Sequence, residues 1–183
     1  MLKKILLVLV IVVGVLAGIV ALQPSTFHIE RSATMSAPPA KVFAQVNDFH
    51  AWQAWSPWAK LDPAAKVSFE GPAAGEGAVY KWSGNSDVGE GSMTLLESHP
   101  NDRIGIKLDF IKPFAGTNQV EFTFKPEGDK TLVTWSMSGT NGFVSKAFCL
   151  LMNMQKIVGG EFDKGLASIK AIVESTDKNT DKK

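Results

Sequence analysis

Aromatic side chains form the most conspicuous group of residues that could serve a function. Trp55-Ser56-Pro57-Trp58 places two indole rings three residues apart. An indole joins a large apolar surface to a polar N–H, which suits a ligand with an apolar body and a hydrated end. Two interpretations stay open. The rings form the mouth of an apolar cavity, or they fill the open end of a sheet and shape a pocket from behind.

Acidic side chains give a weaker signal for catalysis. Glu97 shares its strand phase with Met93 and Leu95, so it approaches the sheet interior or lies exposed at the strand end. No spacing brings together Ser-His-Asp, Cys-His or paired carboxylates, so no catalytic residue is assigned. Five further carboxylates fall in turns or at outward strand positions, where charges are normally solvated: Asp48, Asp62, Asp87, Asp109 and Asp163.

Composition argues against several classes of site. The chain has one cysteine, Cys149, and three histidines, so neither an intrachain disulfide nor a metal site is expected. Residues 71–77 are rich in glycine but lack the Lys-Ser/Thr of a phosphate-binding loop. The net charge of +1 gives no basic face for nucleic acid. We expect no metal, no cofactor and no nucleic-acid partner.

The pattern of apolar residues predicts the elements that position these side chains. Alternating apolar and polar residues, bounded by Gly, Pro, Asn or Asp, predict seven strands with short antiparallel connections. Residues 40–47 form a short helix, and residues 48–58 a second helical or turn segment. From Leu151 to Val173, apolar residues recur at steps of three and four, which predicts a long amphipathic helix. Gly159-Gly160 predicts a kink or a join between two helices. The predicted strands cover residues 27–35, 66–70, 78–83, 90–98, 103–110, 118–125 and 131–139.

Strand alternation also predicts which side chains face the long helix. Bulky aromatic and methionine side chains on that face suit an apolar pocket, although close packing without a cavity is the alternative. The residues expected to bind an apolar ligand are Trp55, Trp58, Tyr80, Trp82, Phe110, Trp135, Met137, Phe148 and Met152.

The N-terminal segment differs from the rest of the chain. Lys3 and Lys4 precede an uncharged run from Ile5 to Leu22, which spans about 27 Å as a helix and nearly matches the ~30 Å hydrocarbon core of a bilayer. The run is long for a signal peptide and lacks a good cleavage site, so an uncleaved anchor over residues 1–22 is favoured over a signal peptide. The Lys pair predicts a cytoplasmic N-terminus and a domain on the extracytoplasmic, periplasmic side.

These motifs resemble those of one known superfamily. A strand followed by Ala37-Pro38-Pro39 and a helix, then Trp52-x-x-Trp55-Ser56-Pro57-Trp58, is similar to the opening of the polyketide cyclase/dehydrase branch of the START-like (SRPBCC) superfamily. The segment from Gly159 to Lys170 is similar to its C-terminal helix. The resemblance covers residues 27–174 and includes a membrane-anchored subset of that superfamily. It implies an α+β helix-grip fold, in which a curved seven-stranded antiparallel sheet surrounds the long C-terminal helix.

The expected organisation is therefore an anchor, a linker over residues 23–26, a helix-grip domain over residues 27–175 and a disordered polar tail over residues 176–183. The leading functional hypothesis is a membrane-anchored domain that binds an apolar small molecule or lipid between the sheet and the last helix. One alternative is a cyclase- or dehydratase-like enzyme using the same pocket. The other is an interaction module for an unidentified envelope protein, which an exposed patch of Trp52, Trp55 and Trp58 would favour.

Overall fold

A computed structural model describes residues 2–151 and 153–177. Seven strands form one sheet, and six helices accompany it. The helices are α1 Leu2–Ala21, α2 Pro39–Asn47, α3 Trp52–Trp55, α4 Pro57–Leu61, α5 Phe143–Leu151 and α6 Met154–Asp177. The strands are β1 Thr26–Met35, β2 Lys66–Glu70, β3 Val79–Ser83, β4 Glu90–His99, β5 Arg103–Lys112, β6 Gly116–Glu127 and β7 Lys130–Thr140.

The sheet confirms the predicted fold class. All pairs are antiparallel, and the spatial order is β1-β7-β6-β5-β4-β3-β2. From β2 to β7 the chain meanders, since short turns can join only neighbouring antiparallel strands. β1 pairs with β7, with Ile29 opposite Met137, so β1 and β2 are the two edges. Strands β2–β7 form a six-strand meander, and β1 joins it at the β7 edge. With the C-terminal helix, this sheet gives the predicted α+β architecture.

Helix α6 packs its apolar stripe against the sheet. Phe162, Leu166, Ile169 and Val173 recur at helical spacing and are all buried. Burial of each such side chain contributes roughly 1.5–3 kcal/mol. The helix packs most closely against β1 and β7 and beside α2, α3 and α4. The part of the concave sheet face formed by β1 and β7 is therefore the part that α6 covers most closely.

Helix α6 continues through Gly159-Gly160, so the join between two helices that was one of the two predictions there is wrong, and the other, a kink within one helix, stays a prediction. The two C-terminal helices separate earlier, between the end of α5 at Leu151 and the start of α6 at Met154. Gly159 serves packing instead, since a Cβ there would overlap the guanidinium of Arg31 on β1. Of the disordered tail predicted over residues 176–183, residues 176 and 177 belong to α6, and residues 178–183 lie outside the described residues.

Helix α1 leads almost directly into the sheet. Its Lys3–Ala21 segment, with a mean hydropathy of 2.9, is long and apolar enough to cross a membrane, a test that a signal sequence also passes. Backbone hydrogen bonds continue the helical turn to Gln23, and β1 starts at Thr26. The last turn of α1 lies beside α5, where Val20 is buried and Lys146 Nζ is 3.5 Å from the carbonyl oxygen of Ala21. The junction between α1 and the domain is therefore short and packed.

Candidate ligand-binding face

A stack of aromatic rings fills the space between the sheet and α6. Trp135 of β7 lies between Phe122 at 4.8 Å and Phe162 at 4.1 Å, measured between ring centroids. Trp55 meets Trp135 edge-on at 5.6 Å, and Trp52 contacts Trp55 at 4.5 Å. All five residues are buried. We refer to these five residues, Trp52, Trp55, Phe122, Trp135 and Phe162, as the ring plug, because their packed rings fill the space between the sheet and α6.

The short helices α2–α4 hold the ring plug in place. Pro39 starts α2 at a position where its missing N–H costs no hydrogen bond. Trp52 Nε1 donates to the carbonyl oxygen of Val46, and Trp55 Nε1 donates to that of Gln45, each at 3.0 Å. These carbonyls lie in the last turn of α2, where no helical donor is available. The two tryptophans thus cap α2 and fill the core at the same time.

Gly165 lets α6 approach the ring plug. A Cβ at this position would lie 2.7 Å from Cζ3 of Trp135 and 3.4 Å from Cδ of Pro57. Real Cβ contacts of 2.7 Å do not occur, so any larger residue would push the helix or the ring aside. A glycine within a helix costs about 1 kcal/mol relative to alanine, and close packing on Trp135 accounts for its presence here.

The part of the concave face beyond α6 carries a second apolar group, which is only partly covered. We call Tyr80, Trp82, Leu108 and Phe110 the open face; each is half-buried, and Tyr80, Trp82 and Leu108 pack on the core. Trp82 stacks on Tyr80 at 6.0 Å and meets Phe110 edge-on at the same distance. Beyond Tyr80, Phe69 of the edge strand β2 is 36% exposed. This surface offers a ligand aromatic contacts that α6 does not occupy.

The Trp82 ring has a fixed orientation. Its Nε1 donates to the carbonyl oxygen of Val88 at 2.9 Å. Gly91 on the neighbouring strand leaves space for the ring, since a Cβ at Gly91 would lie 2.5 Å from Cη2 and Cζ2 of Trp82. The indole N–H is thus already satisfied, and the ring presents an apolar surface.

Tyr80 supplies a polar group on the open face. Gln53 Nε2 donates to the Tyr80 hydroxyl oxygen at 3.3 Å, which leaves the hydroxyl hydrogen able to donate elsewhere. Burial raises the pKa of the Tyr80 hydroxyl, an effect that the Gln53 hydrogen bond opposes. Tyr80 is therefore neutral at physiological pH and acts as a hydrogen-bond donor rather than a base.

The carboxylates considered from the sequence lie away from this face. Glu97 pairs with Arg103, and its side chain is 47% exposed beside an irregularity in β4. Hydrogen bonds from Lys107 and Thr117 lower the pKa of Asp109, which keeps that carboxylate charged. Neither carboxylate is buried within the domain, so neither forms the interior acid or base that an enzyme of this architecture would use.

The closest approach to an acid–base pair is Asp48 with His50. Their side chains are 2.7 Å apart, but Asp48 also accepts the backbone N–H of His50, the geometry of a local turn. The His50 ring stacks on Phe69 at 4.0 Å. Among the described residues, no group of three or more His, Cys, Asp or Glu side chains could hold a metal ion.

The structure divides the predicted ligand-binding residues into two groups. Trp55, Trp135 and Met137 are buried in the core, with Trp58 half-buried at 5.8 Å from Trp135. Trp52 and Trp55 therefore do not form the exposed tryptophan patch expected of an interaction module. The second group, on the open face, is Tyr80, Trp82 and Phe110. Met152 and the side chain of Phe148 lie outside the described residues, and the ligand contacts of all nine residues stay predictions.

Gln53 was not identified from the sequence as a residue that contacts the open face, because no sequence pattern links it to Tyr80.

Two clefts lie at the outer margin of the sheet. One of about 280 Å³ lies between β2, β3 and β4 and includes Trp82, Gly91 and Ile111 in its lining. The other, of about 450 Å³, lies between the β3–β4 loop and the β5–β6 connection, beside Asn85 and Pro113. Neither cleft is lined by α6.

Solved structures share this fold at low sequence identity. A protein from Thermobifida fusca has a TM-score of 0.60 and 19% identity, covering 78% of this chain and 90% of its own. The Aha1 dimer from Colwellia psychrerythraea has a TM-score of 0.59 and 16% identity, covering 81% of this chain and 96% of its own. CalU16 from Micromonospora echinospora has a TM-score of 0.53 and 17% identity, covering 85% of this chain and 90% of its own. These likenesses show the fold alone.

The family comparison covers almost the whole helix-grip domain. No curated protein is significantly similar in sequence. The family model described as polyketide cyclase / dehydrase and lipid transport matches residues 26–174, from the first residue of β1 to the last turns of α6. This range contains both the ring plug and the open face. The chain therefore belongs to the polyketide cyclase/dehydrase and lipid transport family and has the helix-grip fold that the sequence motifs indicated.

Proposed function

We propose that this protein is a membrane-anchored, extracytoplasmic domain that binds an apolar small molecule or a lipid on its open face. The observation that carries the proposal is the row of Tyr80, Trp82, Leu108 and Phe110, which stays half-buried while the rings under α6 are fully buried. Apolar ligand sites typically combine aromatic walls with a few polar groups, and here the Tyr80 hydroxyl is such a group. A family whose description includes lipid transport supports the same ligand class.

The packing of the N-terminal helix supports an anchor rather than a cleaved signal. Val20 is buried, and Lys146 approaches the carbonyl oxygen of Ala21, so the last turn of α1 has tertiary contacts. Cleavage after residue 21 or 22 would remove them. Most of the remaining α1 surface is apolar and exposed, as expected for a helix whose solvent is hydrocarbon. Lys3 and Lys4 at its start favour a cytoplasmic N-terminus.

Photo-crosslinking of the full-length protein in cells tests the ligand site. p-Benzoyl-phenylalanine at position 82 or 110 would face the bound molecule, whereas the same residue at position 81, on the opposite face of β3, is the matched control. We expect a mass increase from a small molecule or lipid at positions 82 and 110 after extraction into detergent. Equal adducts at positions 81 and 82, or none at 82 and 110, would contradict the proposal.

A further inference from the structure

We propose that the domain rests on the bilayer through a second, peripheral contact, made by the β5–β6 connection and the outer face of α5. The partner is a lipid surface. This inference depends on the proposed anchor for its orientation, but not on ligand binding at the open face. We call Ile111, Phe114, Phe143 and Leu150 the docking residues.

Strand register places these residues at the end of the sheet where the chain leaves α1. Thr26, the first residue of β1, lies opposite Thr140, the last residue of β7. Two strands further, Phe110 lies opposite Gly116, so the last residues of β5 and the connection over residues 113–115 lie at the same end. Helix α5 begins at Phe143, directly after β7, and lies beside α1. A bilayer that holds α1 would therefore face this end of the domain.

The docking residues are unusually exposed for their type. Phe114 is 58% exposed on the three-residue connection, and Ile111, next to the last residue of β5, is 53% exposed. Phe143 is 56% exposed and Leu150 44%. These last two are seven residues apart on α5, so they lie on the same helical face. Other large apolar side chains of the domain are also exposed, such as Leu96 at 48% and Ile157 at 45%, but the four docking residues share the end nearest α1. A group of this kind marks a contact surface.

The opposite end of the sheet has a different character. Its β6–β7 turn is formed by Glu127, Gly128, Asp129 and Lys130, and all four are exposed. The β4–β5 turn contains Pro100, Asn101 and Asp102, also exposed. Hydrated turns of this kind suit water, whereas the β5–β6 connection presents Phe114 beside Ile111. The β3–β4 loop, at the same end as that connection, is polar, with Asn85 and Asp87 exposed, so the apolar connection is the one nearer to α1 in the sheet order.

Two features favour a bilayer over a second protein as the occupant of this surface. First, it continues the surface of α1, whose last turn contacts α5. Second, lysine side chains border it: Lys112, 71% exposed beside Ile111, forms an ion pair with Glu90 at 2.7 Å, and Lys146 lies on α5 between Phe143 and Leu150. Apolar side chains flanked by lysines match the boundary between acyl chains and anionic headgroups.

Fluorescent labelling of the full-length protein tests the contact. In a Cys149→Ser background, which removes the only native cysteine, single cysteines replace Phe114, Phe143, Asp129 or Val8 and carry an NBD label. The proteins are reconstituted into vesicles of phosphatidylethanolamine and phosphatidylglycerol. Some vesicles contain lipids with a nitroxide near the headgroup, and others contain lipids with a nitroxide deep in the acyl chain.

We expect the labels at positions 114 and 143 to show blue-shifted emission and quenching by the shallow nitroxide, while the label at 129 shows neither. Labels at 114 and 143 that behave like the label at 129 would overturn the contact. A blue shift without quenching would also overturn it, since the surface would then be covered by protein. The label at Val8 reports the anchor separately: quenching by the deep nitroxide supports a spanning α1, and its absence removes the anchor but not a contact seen at 114 and 143.

Discussion

The guanidinium of Arg31 occupies the volume that a side chain at Gly159 would need. Arg31 projects from β1 toward α6, where it donates to Asp163 at 3.3 Å and to the carbonyl oxygen of Gln155 at 3.0 Å. Its third hydrogen bond is to the carbonyl oxygen of Glu30 at 2.6 Å. One glycine in α6 thus allows a charged group to join the first strand to the last helix.

This arrangement predicts different effects for two adjacent alanine substitutions. Gly159→Ala displaces the Arg31 guanidinium, the end of a flexible side chain, so the free energy of unfolding of this variant should be lower than that of Gly160→Ala by roughly 0.5–1.5 kcal/mol, the value of a hydrogen bond. At Gly160 a new Cβ meets no atom within 4 Å. Gly160→Ala should therefore stabilise the protein by up to about 1 kcal/mol through helix propensity. Denaturant unfolding of the detergent-solubilised full chain, followed by circular dichroism, measures both. Equal effects of the two substitutions would contradict the packing role of Gly159.

The raised pKa of Tyr80 predicts that the folded protein loses stability at alkaline pH, and the absorbance of this one tyrosine can follow the ionisation. It is the only tyrosine in the chain, so the absorbance of tyrosinate follows this residue alone. The ordinary pKa is 10.0, and burial raises the pKa in the folded state. Above about pH 10 the unfolded chain loses this proton while the folded chain retains it, so stability falls until the folded hydroxyl also ionises.

A spectroscopic pH titration of native and denatured protein checks this direction. The native protein should ionise at the higher pH, and Tyr80→Phe should remove the corresponding alkaline part of the stability profile. Identical titration of the native and denatured forms would show that the Tyr80 hydroxyl is not shielded from water.

Two tryptophans of the ring plug should respond differently to the same substitution. Trp55→Phe and Trp135→Phe remove the same atoms from the core. Trp55→Phe also leaves the Gln45 carbonyl without its donor, whereas Trp135 Nε1 is buried and has no hydrogen-bond partner among the described residues. An unsatisfied buried polar group costs about 1–3 kcal/mol, so Trp55→Phe should be the more destabilising change by that order.

Chemical unfolding midpoints of the two variants measure the difference. If Trp135→Phe proves as costly as Trp55→Phe, the Trp135 N–H has a partner in the native protein, such as a buried water.

The anchor makes a separate prediction about membrane association. Replacement of Leu9 and Val13 by arginine should release the protein from the membrane, because each central charge costs roughly 2.5–3.5 kcal/mol on insertion scales. Leu9→Ile with Val13→Leu is the apolar control and should leave the protein in the membrane fraction. The intact mass of the wild-type protein from that fraction should include residues 1–22. A soluble protein with a mature N-terminus near Leu22 would identify a signal peptide instead.

Strand alternation predicted much of this fold, because one apolar face of the sheet is buried. The predicted bounds of β2 match the structure, and the other strands differ by a few residues at their ends. The helix break was misplaced because sequence spacing shows a glycine pair but not the distant Arg31 that fills the space beside it. The spacing of apolar residues along the chain predicts a helix, whereas the role of a glycine within that helix depends on a tertiary contact that the spacing does not show.

The candidate site was only partly accessible from the sequence for a related reason. Alternation gives Trp82 and Trp135 the same inward direction. It does not show that α6 covers Trp135 and leaves Trp82 beside an open surface, because the position of the helix over the sheet depends on packing at Gly165. The sequence therefore predicted a set of inward aromatic residues, and the structure separates those that are buried in the core from those that stay half-buried on the open face.

The short junction between α1 and β1 has a consequence for how a bound molecule could travel. Residues 22–25 separate the two elements, and their extended reach is at most about 14 Å. If α1 spans the bilayer, the domain searches for its ligand by lateral diffusion in two dimensions. It cannot shuttle a cargo across an aqueous compartment by itself. Any transfer to another membrane would then require a soluble acceptor that comes to this protein.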